Sequence, residues 1–499
     1  MSSGSSHRQI LRSSSIIGGA SVVNILISLL RTKVAAVLLG PAGIGLIGLF
    51  QSLIATASAM AALGFGTVGT RQIAEAAGRK DAAGVAAARR ALFWGTAILA
   101  VIGFALVWLL RETLATRLLG DASRATDVGW LALGVGLTVA AGSQGALLTG
   151  LRRIGDIARV SVWSSVLATV IGVSALWLWG PQGLLVFVLA TPLGSFLIGH
   201  LYVARVPKVQ APSTPMPQLA AQWKELVRIG IPFMVTGVIV AAGQLAVRGI
   251  VQTQLGPSAL GQFQAAWVVS VTYMGFVLGA MGADYYPRLT AAIEDRQKVN
   301  ELVNQQTEVA LLLASPVLLI LLALAPWAIE ILYSSSFDRA SSLLRWQIVG
   351  DVLKIASWPL GFVLLAAGAG RTFMLTEALA VGVFTGAVWI MLPVIGLAAT
   401  SFAFVTMYLF YLPVVYWLAR RRTDFRWDRQ VFFHAIVLFL FASLVSLAIT
   451  LTEWLGVALA CLGAALFGCY GFVRLDRLTG LPGQLSRVAV KIRTFLSIR

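Results

Sequence analysis

The chain of 499 residues holds two cysteines and three histidines. Cys461 and Cys469 stand eight residues apart in one apolar run. That is about 12 Å along a helix, too far for a mutual disulfide. With so few histidines and no Cys/His cluster, a metal centre is not expected. Charge is also scarce. Asp, Glu, Lys and Arg make up 12% of the residues, against about a quarter in soluble domains. No glycine-rich nucleotide loop follows a strand pattern, and no nucleophile stands beside a base. These absences argue against a soluble enzyme, a metalloprotein and a disulfide-stapled fold. No cofactor is expected.

Apolar length is what the chain has. It is 58% hydrophobic, with a mean hydropathy of +0.86. Apolar runs recur, each long enough to cross a bilayer as a helix of about 20 residues. The first, residues 13–39, is too long for a signal-peptide core and lacks a small-residue cleavage site, so it reads as a retained helix. About fourteen spans are expected: 13–38, 44–68, 85–110, 128–149, 160–180, 182–204, 227–253, 259–283, 303–325, 344–367, 372–392, 396–419, 431–451 and 454–473. The fold class expected is an all-α integral membrane protein.

The net charge of +18 follows the same geometry. With residues 1–12 on the cytoplasmic side, about 29 of the 38 Lys and Arg fall in cytoplasmic segments. About five fall outside, and Arg31, Lys33, Arg248 and Lys354 fall within spans. The positive-inside rule therefore places both termini in the cytoplasm. Anionic lipid headgroups, not nucleic acid, account for the basic balance. The tail over 475–499 puts Val488, Ile492, Phe495 and Leu496 on one face. It reads as a basic amphipathic helix lying on the cytoplasmic leaflet or as a frayed basic tail.

The chain also repeats itself. "LLGPAGIG" begins at Leu38 and "QLGPSALG" at Gln254, so the two Leu-Gly-Pro phrases stand 216 residues apart. Arg71 and Arg288, "TGLRRIGDIAR" and "AGAGRTFMLTE", and "LYVAR" and "VYWLAR" echo each other at similar offsets and in the same order. Such periodic self-similarity indicates duplication. Two lobes are expected, 13–205 and 227–420, joined by a polar, Pro-rich cytoplasmic linker over 206–226. Six spans separate equivalent points, so the lobes run parallel. The pseudo-two-fold axis then lies along the membrane normal, a transporter design. The spans within 421–474 have no partner and read as an added pair.

Charged residues at membrane depth are costly and mark function. Arg31 and Lys33 lie in span 1. Arg248 lies in span 7, at nearly the repeat-equivalent place to Arg31. Asp351 and Lys354 lie in span 10, three apart and on one face. Asn24 and Ser28 precede Arg31 by seven and three residues, and Gln244 precedes Arg248 by four. The functional reading is a cationic pocket for an anionic ligand, formed by Arg31, Lys33, Arg248 and Lys354 against Asp351. Guanidinium groups suit phosphate oxygens. Asn24, Gln144 and Gln244 supply polar contacts. Two structural readings stand beside this one: Arg248 snorkels to the outer interface, and Asp351 serves only to neutralise a cation.

The opening "SSSIIGGASVVNILISLLRTKVAAVLLGPAGIGLIGLF" followed by "GFGTVGTRQIAEA" resembles bacterial O-antigen flippases. These are lipid-linked oligosaccharide translocases of the multidrug/oligosaccharidyl-lipid/polysaccharide exporter superfamily. The resemblance is strongest over the first 75 residues, and the two-lobed pattern carries it to about residue 420. It implies a V-shaped exporter fold of two six-helix lobes. The implied substrate is an undecaprenyl-diphosphate-linked glycan, moved from the cytoplasmic to the periplasmic leaflet of the inner membrane. Arg31 matches a central-cavity arginine of the related peptidoglycan-precursor flippases. The implied partners are polysaccharide polymerase and chain-length machinery. Hypothetical roles follow: Arg31 and Arg248 hold the diphosphate, Asn24, Gln144 and Gln244 contact sugars, and Asp351 carries protons or resets the pocket. A multidrug exporter of the same fold is the alternative, but it would want buried acids where this interior is net positive. A membrane polymerase or ligase would want a long periplasmic domain, and the outer loops here are short.

Overall fold

The computed structural model describes residues 3–207 and 216–479. Among these residues all regular structure is helical. The helices are α1 (Ser3–Ala61), α2 (Phe65–Gly78), α3 (Ala82–Leu109), α4 (Arg111–Leu114), α5 (Ala125–Gly150), α6 (Ile154–Trp179), α7 (Leu184–Ala204), α8 (Met216–Ala292), α9 (Arg296–Leu332), α10 (Asp338–Ala366), α11 (Gly370–Ile395), α12 (Ala399–Thr423), α13 (Arg429–Leu451) and α14 (Glu453–Thr479). Ten continuous stretches are apolar and long enough to cross a membrane. Four of them, of 44, 51, 42 and 54 residues, hold two crossings each. Among the described residues fourteen spans result, as expected.

α1 and α8 each contain two spans joined at a single glycine. Gly40 has φ 62 and ψ −166, and Gly256 has φ 82 and ψ 176. Residues with a Cβ are essentially excluded from that region, so the Gly of each Leu-Gly-Pro phrase is required by the turn. The following proline restarts the helix at a position where its missing N–H costs nothing. Two more left-handed positions recur at the same 216-residue offset. Arg152 (φ 54) pairs with Gly368 (φ 68), and Gly180 (φ 55) pairs with Gly396 (φ 60). The hydrogen bonds repeat as well. Arg153 N–H donates to Leu148 O and Ala369 N–H to Leu364 O, both at 2.9 Å. The duplication read from sequence echoes is thus also written in the backbone.

The chain divides into two compact units, residues 1–261 with 332–334, and 262–331 with 335–499. In the first unit, α8 enters as a packed helix. Trp223 Nε1 donates to Ala91 O at 2.9 Å, and Leu226 is buried with Phe65, Ile73 and Leu147. The stretch expected as a linker over 206–226 is therefore helical and packed from Met216 onward. Residues 208–215 lie outside the described part. A Cβ on Gly45 would meet Pro257 O at 2.4 Å, and one on Gly261 would meet Pro41 O at 1.8 Å. The two Leu-Gly-Pro turns thus approach each other reciprocally, and the fourth residue after each proline is Gly because a backbone occupies its side-chain space.

In the second unit, α10 is the buried centre, with nineteen residues removed from the surface. Its N-terminus is anchored by Gln262, whose Nε2 donates to Ser336 O at 2.9 Å and whose Oε1 accepts from Ala340 N–H at 3.0 Å. The added pair, α13 and α14, docks on α9. Arg474 reaches Glu308 at 2.7 Å and Gln430 at 2.6 Å, and His434 meets Ser315 at 3.2 Å. The expected surface-lying tail, 475–499, begins as the last turn of α14. Its remainder lies outside the described residues.

Candidate functional site

Arg31 sits nine residues before Gly40 on α1, and Arg248 sits eight before Gly256 on α8. Both are therefore about 12–13 Å from the turn that ends their span. This shared depth is the geometric content of their near equivalence in the repeat. Arg31 faces α7: its Nη1 donates to Thr191 Oγ1 at 2.6 Å, and its Nη2 donates to Phe187 O. The guanidinium lies 4.2 Å from the centroid of the Phe187 ring, a cation–π distance. The Nε of Arg31 is buried without a hydrogen-bond partner.

Arg248 is 5% exposed. Its Nη1 donates to Gln244 Oε1 at 2.6 Å and to Gln244 O at 3.0 Å. The i, i+4 spacing of Gln244 and Arg248 thus builds a local clamp that holds the guanidinium against its own helix. Asn24, seven residues before Arg31, donates to Ser161 Oγ at 2.6 Å, and its Oδ1 is buried without a partner. Gln144 is buried, and its Oε1 is pressed against Gly199, where a Cβ would come within 2.2 Å. Lys33 is partly buried on α1.

Asp351 and Lys354 lie in the second unit. Asp351 is fully buried. Its Oδ2 accepts from Ser270 Oγ at 2.7 Å and from the Tyr273 hydroxyl. Its Oδ1 faces Lys354 Nζ at 3.9 Å and has no hydrogen bond. Lys354 Nζ also stands 6.0 Å from the Phe404 ring centroid. One turn earlier on α10, Gln347 is fully buried with neither amide atom hydrogen-bonded. A carboxylate, an ammonium and an unsatisfied amide thus share one face of the most enclosed helix. On the neighbouring α11, Glu377 accepts from the Tyr411 hydroxyl at 2.9 Å.

The candidate residues therefore form two sets. Asn24, Lys33, Arg31, Gln144, Gln244 and Arg248 belong to the first unit, and Asp351 and Lys354 to the second. Sequence reading missed Ser270, Tyr273 and Gln347 around Asp351. A signal was available. Ser270 and Tyr273 are three apart in an apolar helix, and Gln347 precedes Asp351 by four. Thr191 and Phe187 on α7 carried none, because they meet Arg31 only through tertiary packing. Among the described residues no cluster of His, Cys, Asp and Glu has the grouping to hold a metal.

The family described as polysaccharide biosynthesis protein matches residues 34–342, which includes Arg248. The chain is 27% identical over 426 residues to the lipid III flippase of Escherichia coli (strain K12), covering 81% of this chain and 97% of that protein. The lipid III flippase of Shigella flexneri matches equally. Among solved structures, the chain resembles a multidrug resistance MATE family transporter of the MOP superfamily in its inward-facing conformation. That likeness has a TM-score of 0.68 at 19% identity, over 80% of this chain and 94% of the other. It also resembles the lipid II flippase MurJ in an inward closed conformation, with a TM-score of 0.69 at 12% identity, over 93% of this chain and all of the other. At such identities the two structures establish the fold alone. With the family match spanning well over half of its length, this multi-pass helical membrane protein belongs to the polysaccharide biosynthesis protein family.

Proposed function

We propose that the protein is a flippase that moves an undecaprenyl-diphosphate-linked oligosaccharide from the cytoplasmic to the periplasmic leaflet of the bacterial inner membrane by alternating access. Both termini are cytoplasmic in this reading, the lobes are 13–205 and 227–420, and the protein is a transporter rather than an enzyme. The observation that carries it is the pair of membrane-depth arginines, Arg31 and Arg248, at matching distances from the two repeat turns. Arg31 donates to Thr191 Oγ1 and Arg248 to Gln244 Oε1. Ionisable residues at membrane depth are costly, and those facing a bundle interior mark substrate paths.

A lipid-linked diphosphate fits this arrangement physically. Its apolar tail can remain in the bilayer, and only the anionic, hydroxyl-rich head needs a cationic path. Arg31, Arg248, Lys33 and Lys354 supply charge for the diphosphate, and Asn24 and Gln244 supply sugar contacts. Gln144, whose Oε1 is buried without a hydrogen-bond partner, is proposed for the same role. Asp351, bridged to Ser270 and Tyr273 and facing Lys354, is the coupling residue of this reading. Outward movement of an anion is favoured by an inside-negative potential at about 2.3 kcal/mol per charge per 100 mV. The drug-exporter reading finds support in the shared fold. It is weaker because the buried carboxylate of Asp351 already has a cation and two hydroxyls for neighbours.

The test is complementation of flippase-null strains for each surface-glycan pathway. Wild type, Arg31→Ala and Arg248→Ala are expressed at equal membrane levels, and surface polysaccharide is measured. Wild type is expected to restore it. Each alanine variant should lose about tenfold or more, since a hydrogen bond to a charged group is worth about 1.5–3 kcal/mol. Full activity in both variants removes the arginine site and leaves the flippase. Failure of wild type in every pathway removes the flippase.

A further inference from the structure

A cavity of about 810 Å³ lies within the second unit, lined by α10, α12, the connection after α12, and α13. Its deep end is apolar, formed by Val352, Leu409 and Phe439, and its mouth carries Arg420, Arg426 and Arg429. α12 runs toward the mouth and α13 runs away from it. Eleven residues separate Leu409 from Arg420 and ten separate Arg429 from Phe439. Each interval is about 15–16 Å of helix, half of a hydrocarbon core about 30 Å thick. The groove is one leaflet deep, with its charge at the surface end.

The mouth is held in place. Asn300 and Asn304, one turn apart on α9, grip the connection between α12 and α13. Arg426 N–H donates to Asn300 Oδ1 at 2.8 Å, and Asn304 Nδ2 donates to Arg426 O at 2.9 Å. Asp428 N–H donates to Asn304 Oδ1 at 2.8 Å. Phe425 is fully buried, and Trp427 stacks on Tyr416 with ring centroids 6.3 Å apart. The nearby acids are Asp424, which pairs with Arg296, and the exposed Asp428. Among the described residues no carboxylate forms an ion pair with Arg420, Arg426 or Arg429.

We propose that this groove holds one anionic phospholipid of the leaflet on its own side of the membrane, phosphate against the three arginines and acyl chains along α10, α12 and α13. Depth selects this occupant. A diacyl phospholipid ends where its leaflet ends, and so does the groove. A polyprenyl chain is several times longer and would leave most of its length outside. Charge selects the headgroup, because three guanidinium forks at a hydrocarbon boundary suit a phosphodiester of net negative charge, whereas a zwitterion brings a further cation to the same place. The inference stands independently of the transport reading and concerns a resident lipid, not a carried one.

The test uses the full chain, purified in mild detergent, and counts bound lipid by native mass spectrometry. Phosphatidylglycerol and phosphatidylcholine of equal acyl length are the probes, with undecaprenyl phosphate as competitor. Phosphatidylglycerol should be retained about tenfold over phosphatidylcholine. The triple variant Arg420→Gln/Arg426→Gln/Arg429→Gln should lose that preference, while Arg79→Gln/Lys80→Gln elsewhere should keep it. Ala435→Trp, which fills the apolar wall and leaves the arginines, should abolish retention of the lipid even if the triple variant misfolds. Equal retention of the two phospholipids overturns the proposal, as does retention unchanged by Ala435→Trp. Displacement of phosphatidylglycerol by undecaprenyl phosphate, one for one, also overturns it and gives the groove to the carried lipid.

Discussion

At the scale of single residues, the same backbone geometry is filled by different side chains in the two halves. Arg152 and Gly368 occupy equivalent left-handed turns. A left-handed L-residue costs about 1–2 kcal/mol, partly offset by the greater unfolded-state freedom of Gly. Arg152→Gly is therefore expected to stabilise the protein by about 0.5–1 kcal/mol. Gly368→Ala, where a Cβ has open space around it, should destabilise by about 1 kcal/mol through backbone strain alone. Thermal unfolding in detergent checks both. A fall in Tm for Arg152→Gly would mean that the Arg152 side chain matters more than its backbone. The costly charges were legible at this scale. Arg31, Arg248, Asp351 and Lys354 stand out because they are among the few charges in otherwise apolar runs. Their partners Thr191, Phe187, Ser270 and Tyr273 come from other helices, and spacing along one helix carries no information about the next.

At the scale of elements, helix boundaries were readable because apolar length and glycine punctuation are local properties. The linker was not. "MPQLAAQWKELV" is polar enough to read as loop, yet tertiary contacts from Trp223 and Leu226 make it the first three turns of a helix. The added pair α13 and α14 is likewise held to α9 by polar contacts at its edge. The Arg474–Glu308 pair is 24% and 13% exposed on its two side chains. Removing one partner of such a half-buried pair leaves the other uncompensated. Glu308→Gln is expected to destabilise by about 1–3 kcal/mol. A double-mutant cycle with Arg474→Met should give a coupling of about 1–2 kcal/mol. Additive effects within 0.3 kcal/mol would show that apolar packing alone docks the pair.

At the scale of the whole molecule, the proposed orientation rests on the distribution of 38 basic residues and not on any fold feature. Both cysteines, Cys461 and Cys469, are free, so a cysteine-free background is available by Cys461→Ser/Cys469→Ser. In that background Asp121→Cys should react in intact cells with a membrane-impermeant maleimide, and Glu294→Cys only after lysis. The reversed pattern would invert the orientation. Sequence alone determined the span count, the parallel duplication and the positions of the membrane charges. Those follow from hydropathy, from repeat offsets and from the cost of charge in hydrocarbon, all of which are one-dimensional. Only the tertiary structure decided which hydroxyls hold Asp351, that Gln144 lies against Gly199, and that three arginines close a groove one leaflet deep. Such facts depend on which helices meet, and that is set by the packing of faces distant in sequence.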